Sequence, residues 1–454
     1  MAPTLKNQKM DLLHGSIWDK MLLFALPLAA TSMLQQLFNA ADIAIVGQFV
    51  SKEAMAAVGS NAPIISLFVN SFLGISMGAN VVISRYTGQG NPKGIKKGVQ
   101  TAVMFSFLAG ICVAIIGEIA APGLLRLMDV PDNVFSMSLT YLRVYMIGLP
   151  VIFLYNFEAA VFMSQGDTRT PMICLTTAGL INVALNLFFV CVVGMDADGV
   201  ALATVLSNVI SSGLLFTILL RRKDAIHLEL KGIKIHKDVL KIMIQIGVPA
   251  AIQSMVFSLS NICVQSAVNS LGSDVIAASA AAFNVEVLAY YLLNSFGQAC
   301  TTFIGQNHGA NNIPRCRRVT KVGLRMNMAI TVTFSFILII FAKDILALFN
   351  SDPVIAEIGV IRIRTILLFE AGNVLMEIFS SSMRGYGYSL PPAIITLVGV
   401  CGSRIIWVYT IFKMSPTFFT LMVVYPVSWG IAGIALIITY LKFIKKLERK
   451  TANA

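Results

Sequence analysis

The sequence predicts an all-α membrane protein of twelve transmembrane helices, in two six-helix lobes related by a pseudo-two-fold axis along the membrane normal. Three observations lead there. The 454 residues are 57% hydrophobic and 12% charged, with mean hydropathy +0.79. The apolar runs are too long and numerous for a soluble core, since a span needs ~20 mostly apolar residues. The chain also reads twice: Leu26-Pro27-Leu28-Ala29-Ala30-Thr31-Ser32-Met33 recurs as Val248-Pro249-Ala250-Ala251-Ile252-Gln253-Ser254-Met255, at an offset of 222. Gly166 and Pro171 recur as Gly387 and Pro392, at an offset of 221. Unrelated helices do not hold a common register.

Twelve runs qualify as spans, at 17–46, 54–83, 97–120, 134–163, 171–193, 198–220, 239–269, 275–305, 319–341, 355–383, 392–412 and 417–443. The alternation of a β-barrel is absent, so helices satisfy the backbone. Several runs exceed a perpendicular span, which implies tilt or protrusion. Met1 to Ser16 is polar, and the first apolar run is too long for a cleavable signal. Repeats of six spans leave both halves in the same orientation. Residues 1–220 form the expected N-terminal lobe, 221–241 a charged cytoplasmic linker, and 242–454 the C-terminal lobe.

Charge placement orients the chain. With both termini in the cytoplasm, inside loops receive 26 of the 34 Lys and Arg, and outside loops receive Lys52, Arg126, Lys343 and Lys413. That split follows the positive-inside pattern. The remaining four, Arg143, Arg362, Arg364 and Arg404, lie within spans. The net charge of +12 is mostly topology, scattered over many loops, so nucleic acid is not an expected partner. The lipid bilayer is, and the tail lysines 442, 445, 446 and 450 with Arg449 suit anionic lipid. The seven Cys show no CxxC spacing and read as reduced packing residues, and the four His form no cluster.

What is missing narrows the function. There is no GxxxxGK[ST], HExxH or GxSxG. The stretch Gly88-Gln89-Gly90-Asn91-Pro92-Lys93-Gly94 has the wrong spacing for a phosphate loop and reads as a tight turn. An ATP-driven pump and a hydrolase are disfavoured, no enzyme is expected, and an ion-driven secondary transporter remains.

A carboxylate in hydrocarbon is costly and usually faces water or a partner. Asp42, Glu158, Glu286, Glu370 and Glu377 lie inside spans. Gln35, Asn39 and Asp42 share one face of span 1, and Asn182 and Asn186 pair at i, i+4 in span 5, with Thr204 offered by span 6. A carboxylate, amides and a hydroxyl could coordinate Na+ through hard oxygens, Asp42 foremost, or tune a protonatable acid. An interhelical hydrogen-bond network with no ion is the bland alternative. In the second half, Ser254, Ser258, Asn261 and Gln265 share a face of span 7, Glu286, Tyr290, Asn294 and Gln298 step along span 8, and Glu370, Asn373, Glu377 and Ser381 share a face of span 10. Helix packing through small and polar residues is the bland reading there. It suits Glu370 and Glu377 poorly, unless one of them pairs with Arg362, Arg364 or Arg404. Partial exposure near the inner interface is expected for Glu158. Pro27 and Pro249 invite bends at matched places. Gly74-Ile75-Ser76-Met77-Gly78 reads as close packing within the chain.

Four motifs together carry a resemblance: Leu34-Gln35-Gln36-Leu37-Phe38-Asn39-Ala40-Ala41-Asp42, Gln165-Gly166-Asp167-Thr168-Arg169-Thr170-Pro171, Gly305-Gln306-Asn307-His308-Gly309-Ala310 and Arg384-Gly385-Tyr386-Gly387. Over essentially its whole length the chain resembles the MATE family, multidrug and toxic compound extrusion, bacterial branch. The resemblance implies a V-shaped pair of lobes in the bacterial cell membrane. It implies export of cationic or amphipathic compounds against Na+ or H+, with no cofactor beyond that coupling ion. It assigns Asp42, Asn182, Asn186 and Thr204 to an N-lobe cation site, beside which Asn39 belongs by its face. The cargo-facing candidates are Gln35, Gln253, Asn261, Glu286, Glu370, Asn373 and Glu377. Asn373 stands where some bacterial members carry an acid, and span 7 carries Gln253 and no acid, which sets the C-lobe apart. A lipid-linked saccharide flippase is the alternative; a channel lacks its filter motif. A monomer is expected.

Overall fold

Backbone polar groups cannot be left bare in hydrocarbon, so each apolar run closes its own hydrogen bonds as helix. The computed structural model describes residues 10–128, 130–348 and 352–452, and all regular structure among them is helical. Met1–Lys9 of the polar N-terminal stretch lie outside the described residues. The first six helices are α1 (Trp18–Phe49), α2 (Lys52–Gly88), α3 (Pro92–Leu127), α4 (Asp132–Ser164), α5 (Arg169–Leu187) and α6 (Ala197–Arg221). Then come α7 (Lys237–Asn269), α8 (Ser273–Gly309), α9 (Ile313–Ile340), α10 (Ala342–Ala347), α11 (Pro353–Leu367) and α12 (Glu370–Gly385). The chain ends with α13 (Leu390–Thr396), α14 (Ser403–Tyr409), α15 (Ile411–Met414), α16 (Phe418–Met422) and α17 (Val424–Ala452).

Among the described residues, eleven helical stretches are long and apolar enough to cross a membrane. The run expected at 355–383 differs: it is two shorter helices, α11 and α12, parted at Leu368–Phe369. No proline or glycine marks that break. The Gly372 N–H bonds the Phe369 carbonyl three residues back, at 2.9 Å, which tightens the chain there. The fifth and eleventh runs each carry a π-helical stretch, Phe188–Val193 and Leu397–Gly402.

The repeat is written in the turns. Gly90 and Asn311 both adopt left-handed backbone, φ 60° and 57°, as do Gly166 and Gly387, φ 84° and 79°. Glycine and asparagine are the residues that tolerate this region. Asn91 caps α3 by accepting from Gly94 N at 3.0 Å, and Asn312 caps α9 by accepting from Arg315 N at 3.1 Å. Both pairs keep the offset of 221.

Two compact units result: Met1–Asp11 with Ala30–Gly247, and Leu12–Ala29 with Val248–Ala454. The start of α1 therefore belongs to the second unit and the start of α7 to the first. In the first unit, a Cβ on Gly78 would lie 2.1 Å from the Met243 carbonyl oxygen, and one on Gly247 2.5 Å from that of Ile75. The glycines of α2 and α7 thus admit backbone against backbone, the use expected for the GxxxG. A ring stack of Phe72 on Phe153, centroids 4.1 Å apart, lies in the same core. In the second unit, Phe24 of α1 meets Phe303 edge-on at 5.8 Å, and Asn307 donates to the Leu12 carbonyl at 3.1 Å. The stretch 221–241 is no loose tether: Ile226 and Leu228 are buried in the first unit's core, and Gln100 and Thr101 of α3 hold His236.

Candidate functional site

The first unit gathers four of its expected residues. Asp42 on α1 accepts at Oδ1 from Asn186 Nδ2 at 2.5 Å and at Oδ2 from Thr204 Oγ1 at 3.3 Å. Asn182 lies one turn before Asn186 on α5; its Oδ1 accepts from Asn186 at 3.3 Å and its Nδ2 donates to Thr204 at 3.4 Å. Local packing makes this possible. Gly179 sits on the same face of α5, and a Cβ there would lie 1.9 Å from the Phe38 ring. Phe38 is one turn before Asp42 on α1, so its seating on Gly179 sets the height at which Asp42 meets Asn186. Small and β-branched side chains of α6, Val200 and Ala201 among them, pack with Ile45 and Val46 beside it.

The electrostatics of this centre are one-sided. Asp42 is 7% exposed, and among the described residues no basic side chain lies within ion-pair distance of it. Desolvating an ion costs several kcal/mol. A hydrogen bond to a charged group returns about 1.5–3 kcal/mol. Asn186 Oδ1 is buried and meets no donor. The centre has five oxygens: two of Asp42, one each of Asn182 and Asn186, and the Thr204 hydroxyl. It is suited to a small hard cation or to a proton on the carboxylate. Among the described residues no three His, Cys, Asp or Glu converge as a transition-metal site. Asn39 and Gln35 stand exposed, outside this bonded set.

Glu158 is fully buried, contrary to the partial exposure expected of it. Ser212 of α6 donates to its Oε2 at 2.8 Å, while Oε1 has no partner. The expected reading failed because the polar neighbour comes from another helix and leaves no mark on the α4 stripe.

The second unit holds its candidates in separate bonded groups. In one, Glu286 of α8 receives both Nε and Nη2 of Arg362, at 3.0 and 2.5 Å, and Arg362 Nη1 donates to Ser279 at 2.7 Å. The bland pairing of Glu370 or Glu377 with Arg362 does not form; Arg362 pairs with Glu286 instead. Asn261 accepts from Arg404 Nη1 at 2.8 Å. Glu370 accepts from Asn373 at 2.8 Å, immediately after the break before α12. Glu377 accepts from Ser381 at 2.6 Å and crowds Gly297 of α8. Gln253 donates to Ser380 and Thr396, at 3.3 and 3.2 Å, and accepts from Arg384 at 3.4 Å.

Sequence reasoning did not assign Tyr425, Ser428 and Trp429 of α17 to a site. The Arg404 guanidinium lies 4.3 Å from the Tyr425 ring centre and 5.1 Å from that of Phe257, and its Nε donates to Ser428 at 3.3 Å. Cation–π contacts return about 2 kcal/mol each when desolvated, less than burying a lone ion costs. The available signal was an arginine in the middle of an apolar run.

Known proteins agree with this architecture. The family described as MatE matches residues 27–188 and again 249–410, once per half. The chain is 30% identical over 450 residues to the probable multidrug resistance protein YoeA of Bacillus subtilis, covering 96% of each. It is 28% identical to the probable multidrug resistance protein NorM of Thermotoga maritima, over 86% of this chain and 84% of that protein. In fold it is similar to a MOP superfamily transporter from Pyrococcus furiosus, with TM-score 0.90 at 20% identity, covering 98% of this chain and 99% of that one. These relatives do not favour the flippase alternative. Matched twice along its length and related end to end to multidrug resistance proteins, this many-helix membrane chain belongs to the MATE family of multidrug efflux transporters and is not an enzyme.

Proposed function

We propose that the chain is an antiporter that exports cationic or amphipathic compounds in exchange for Na+ or H+, with Asp42, Asn182, Asn186 and Thr204 as the coupling centre. One observation carries the reading: among the described residues, Asp42 is a buried carboxylate without a basic partner, beside an amide oxygen without a donor. A cation or proton supplies the missing charge on one side of the membrane and is released on the other. One charge crossing 100 mV is worth ~2.3 kcal/mol. That sustains roughly a fifty-fold concentration ratio at ~1.4 kcal/mol per decade. The cargo class rests on the names of the relatives and on Glu370 and Glu377, which bond Asn373 and Ser381 and, among the described residues, no basic side chain within ion-pair distance. Both termini and Lys234 face the cytoplasm in this reading, and Asp196 faces outward. The working unit is a monomer.

Proteoliposomes with an imposed Na+ or pH gradient test it. Uptake of a fluorescent organic cation driven by one gradient identifies the coupling ion; uptake indifferent to both sinks the antiport reading. Single cysteines at Lys234 and Asp196 should label from opposite sides.

A further inference from the structure

Arg404 poses a problem that the coupling centre does not absorb. Its side chain is fully buried in the second unit. A guanidinium cannot shed its proton as a buried lysine can. Among the described residues no carboxylate lies within ion-pair distance of it: Glu286, whose charge reaches it, gives both oxygens to Arg362. Its hydrogen-bond partners, Asn261 and Ser428, are neutral, and Nη2 has none. A second buried donor is also unsatisfied, the indole N–H of Trp429. Tyr425, Ser428 and Trp429 fall on one face of α17, spaced i, i+3, i+4. Arg404 lies over Tyr425 and bonds Ser428, and the Tyr425 and Trp429 rings are 6.0 Å apart. Two unused N–H donors and a guanidinium with no carboxylate of its own thus collect around Tyr425.

We propose that this place binds a small inorganic anion of the halide class, chloride in the cell, held by Arg404 Nη2 and Trp429 Nε1. The chemistry asks for one negative charge and two acceptances. Full burial of Arg404 suits a monatomic ion rather than an extended carboxylate. The site lies within the second unit and does not depend on which cation drives transport or what is exported.

Purified protein in detergent, exchanged into gluconate, is titrated with bromide while its melting temperature is followed. The wild type should show a saturable rise. Trp429→Phe keeps the ring and removes the donor, and should weaken bromide binding about tenfold or more, as expected for a hydrogen bond to a charged group. Arg404→Gln should abolish saturation, and if that variant does not fold, Trp429→Phe decides. An anomalous bromide peak beside Arg404 in crystals would agree. A rise that never saturates, or that is the same in wild type and Trp429→Phe, overturns the proposal, as does the absence of a peak at Arg404.

Discussion

The two units place polar centres of opposite sign at corresponding points of the repeat. Thr204 and Tyr425 are 221 residues apart, and so are Asn182 and Ser403, the neighbour of Arg404. The first unit buries a carboxylate against an amide N–H and a hydroxyl; the second buries a guanidinium between two rings. Where Asp42 stands in one half, Val264 stands in the other at an offset of 222. The turns were kept and the centres were not. Left-handed residues recur at Gly90 and Asn311 and at Gly166 and Gly387, because chain reversal constrains the backbone. Site chemistry is carried by side chains alone and diverged on the same scaffold.

The sharpest way to break this contrast is to remove the charge of the first centre. Asp42→Asn should leave the fold intact and abolish gradient-driven export. Normal export by a well-folded Asp42→Asn variant would remove the centre from the mechanism. In the second unit a comparable change acts on stability. Glu286→Gln leaves Arg362 buried without its carboxylate and should cost about 3–5 kcal/mol in detergent unfolding. Adding Arg362→Met should recover most of that loss; an equal loss in the double variant would show that the pair is not the cause.

A smaller effect tests how the first centre is positioned. Gly179→Ala forces Phe38 to move and should cost about 1–3 kcal/mol by overpacking. It should weaken coupling-ion binding more than cargo binding, and Phe38→Ala in the same chain should restore it. Ion affinity unchanged by Gly179→Ala would separate the Phe38 contact from the centre.

The smallest effect is expected at the surface. Lys96 donates to Glu229 and holds its carboxyl below the usual range. A depressed acid stabilises the fold above its ordinary pKa, and that contribution disappears as the pH falls through the lowered value. Both side chains are exposed and salt screens them. Glu229→Gln should therefore leave the melting temperature unchanged at physiological salt, near neutral pH. A clear drop there would give the segment around Ile226 and Leu228 an electrostatic anchor beyond its burial.

The spans were legible in the sequence because hydrophobic length is local information: α1, α4, α6, α7 and α8 each lie within a few residues of their expected limits. The first centre was legible because Asp42, Asn182, Asn186 and Thr204 are polar where the helix has no other use for polarity. Other features were not. The break at Leu368–Phe369 carries no proline or glycine. Ile226 and Leu228 looked like linker because two apolar residues among charges show no period. The partner of Arg362 is 76 positions away, and that of Arg404 Nη1 is 143 away. Pairing at such separations is decided by which helices become neighbours, and no spacing rule within one helix records it.

Asn307 reaching back to the Leu12 carbonyl spans 295 positions of chain. During synthesis at ~5–20 residues per second, Leu12 is made roughly 15 to 60 s before its partner exists. Arg315, which bonds His14 and Gly15, is made later still. For that interval the segment leading into α1 is a docking element without its dock. Translation can finish every helix of the first unit and still leave the head of α1 waiting for α8 and α9.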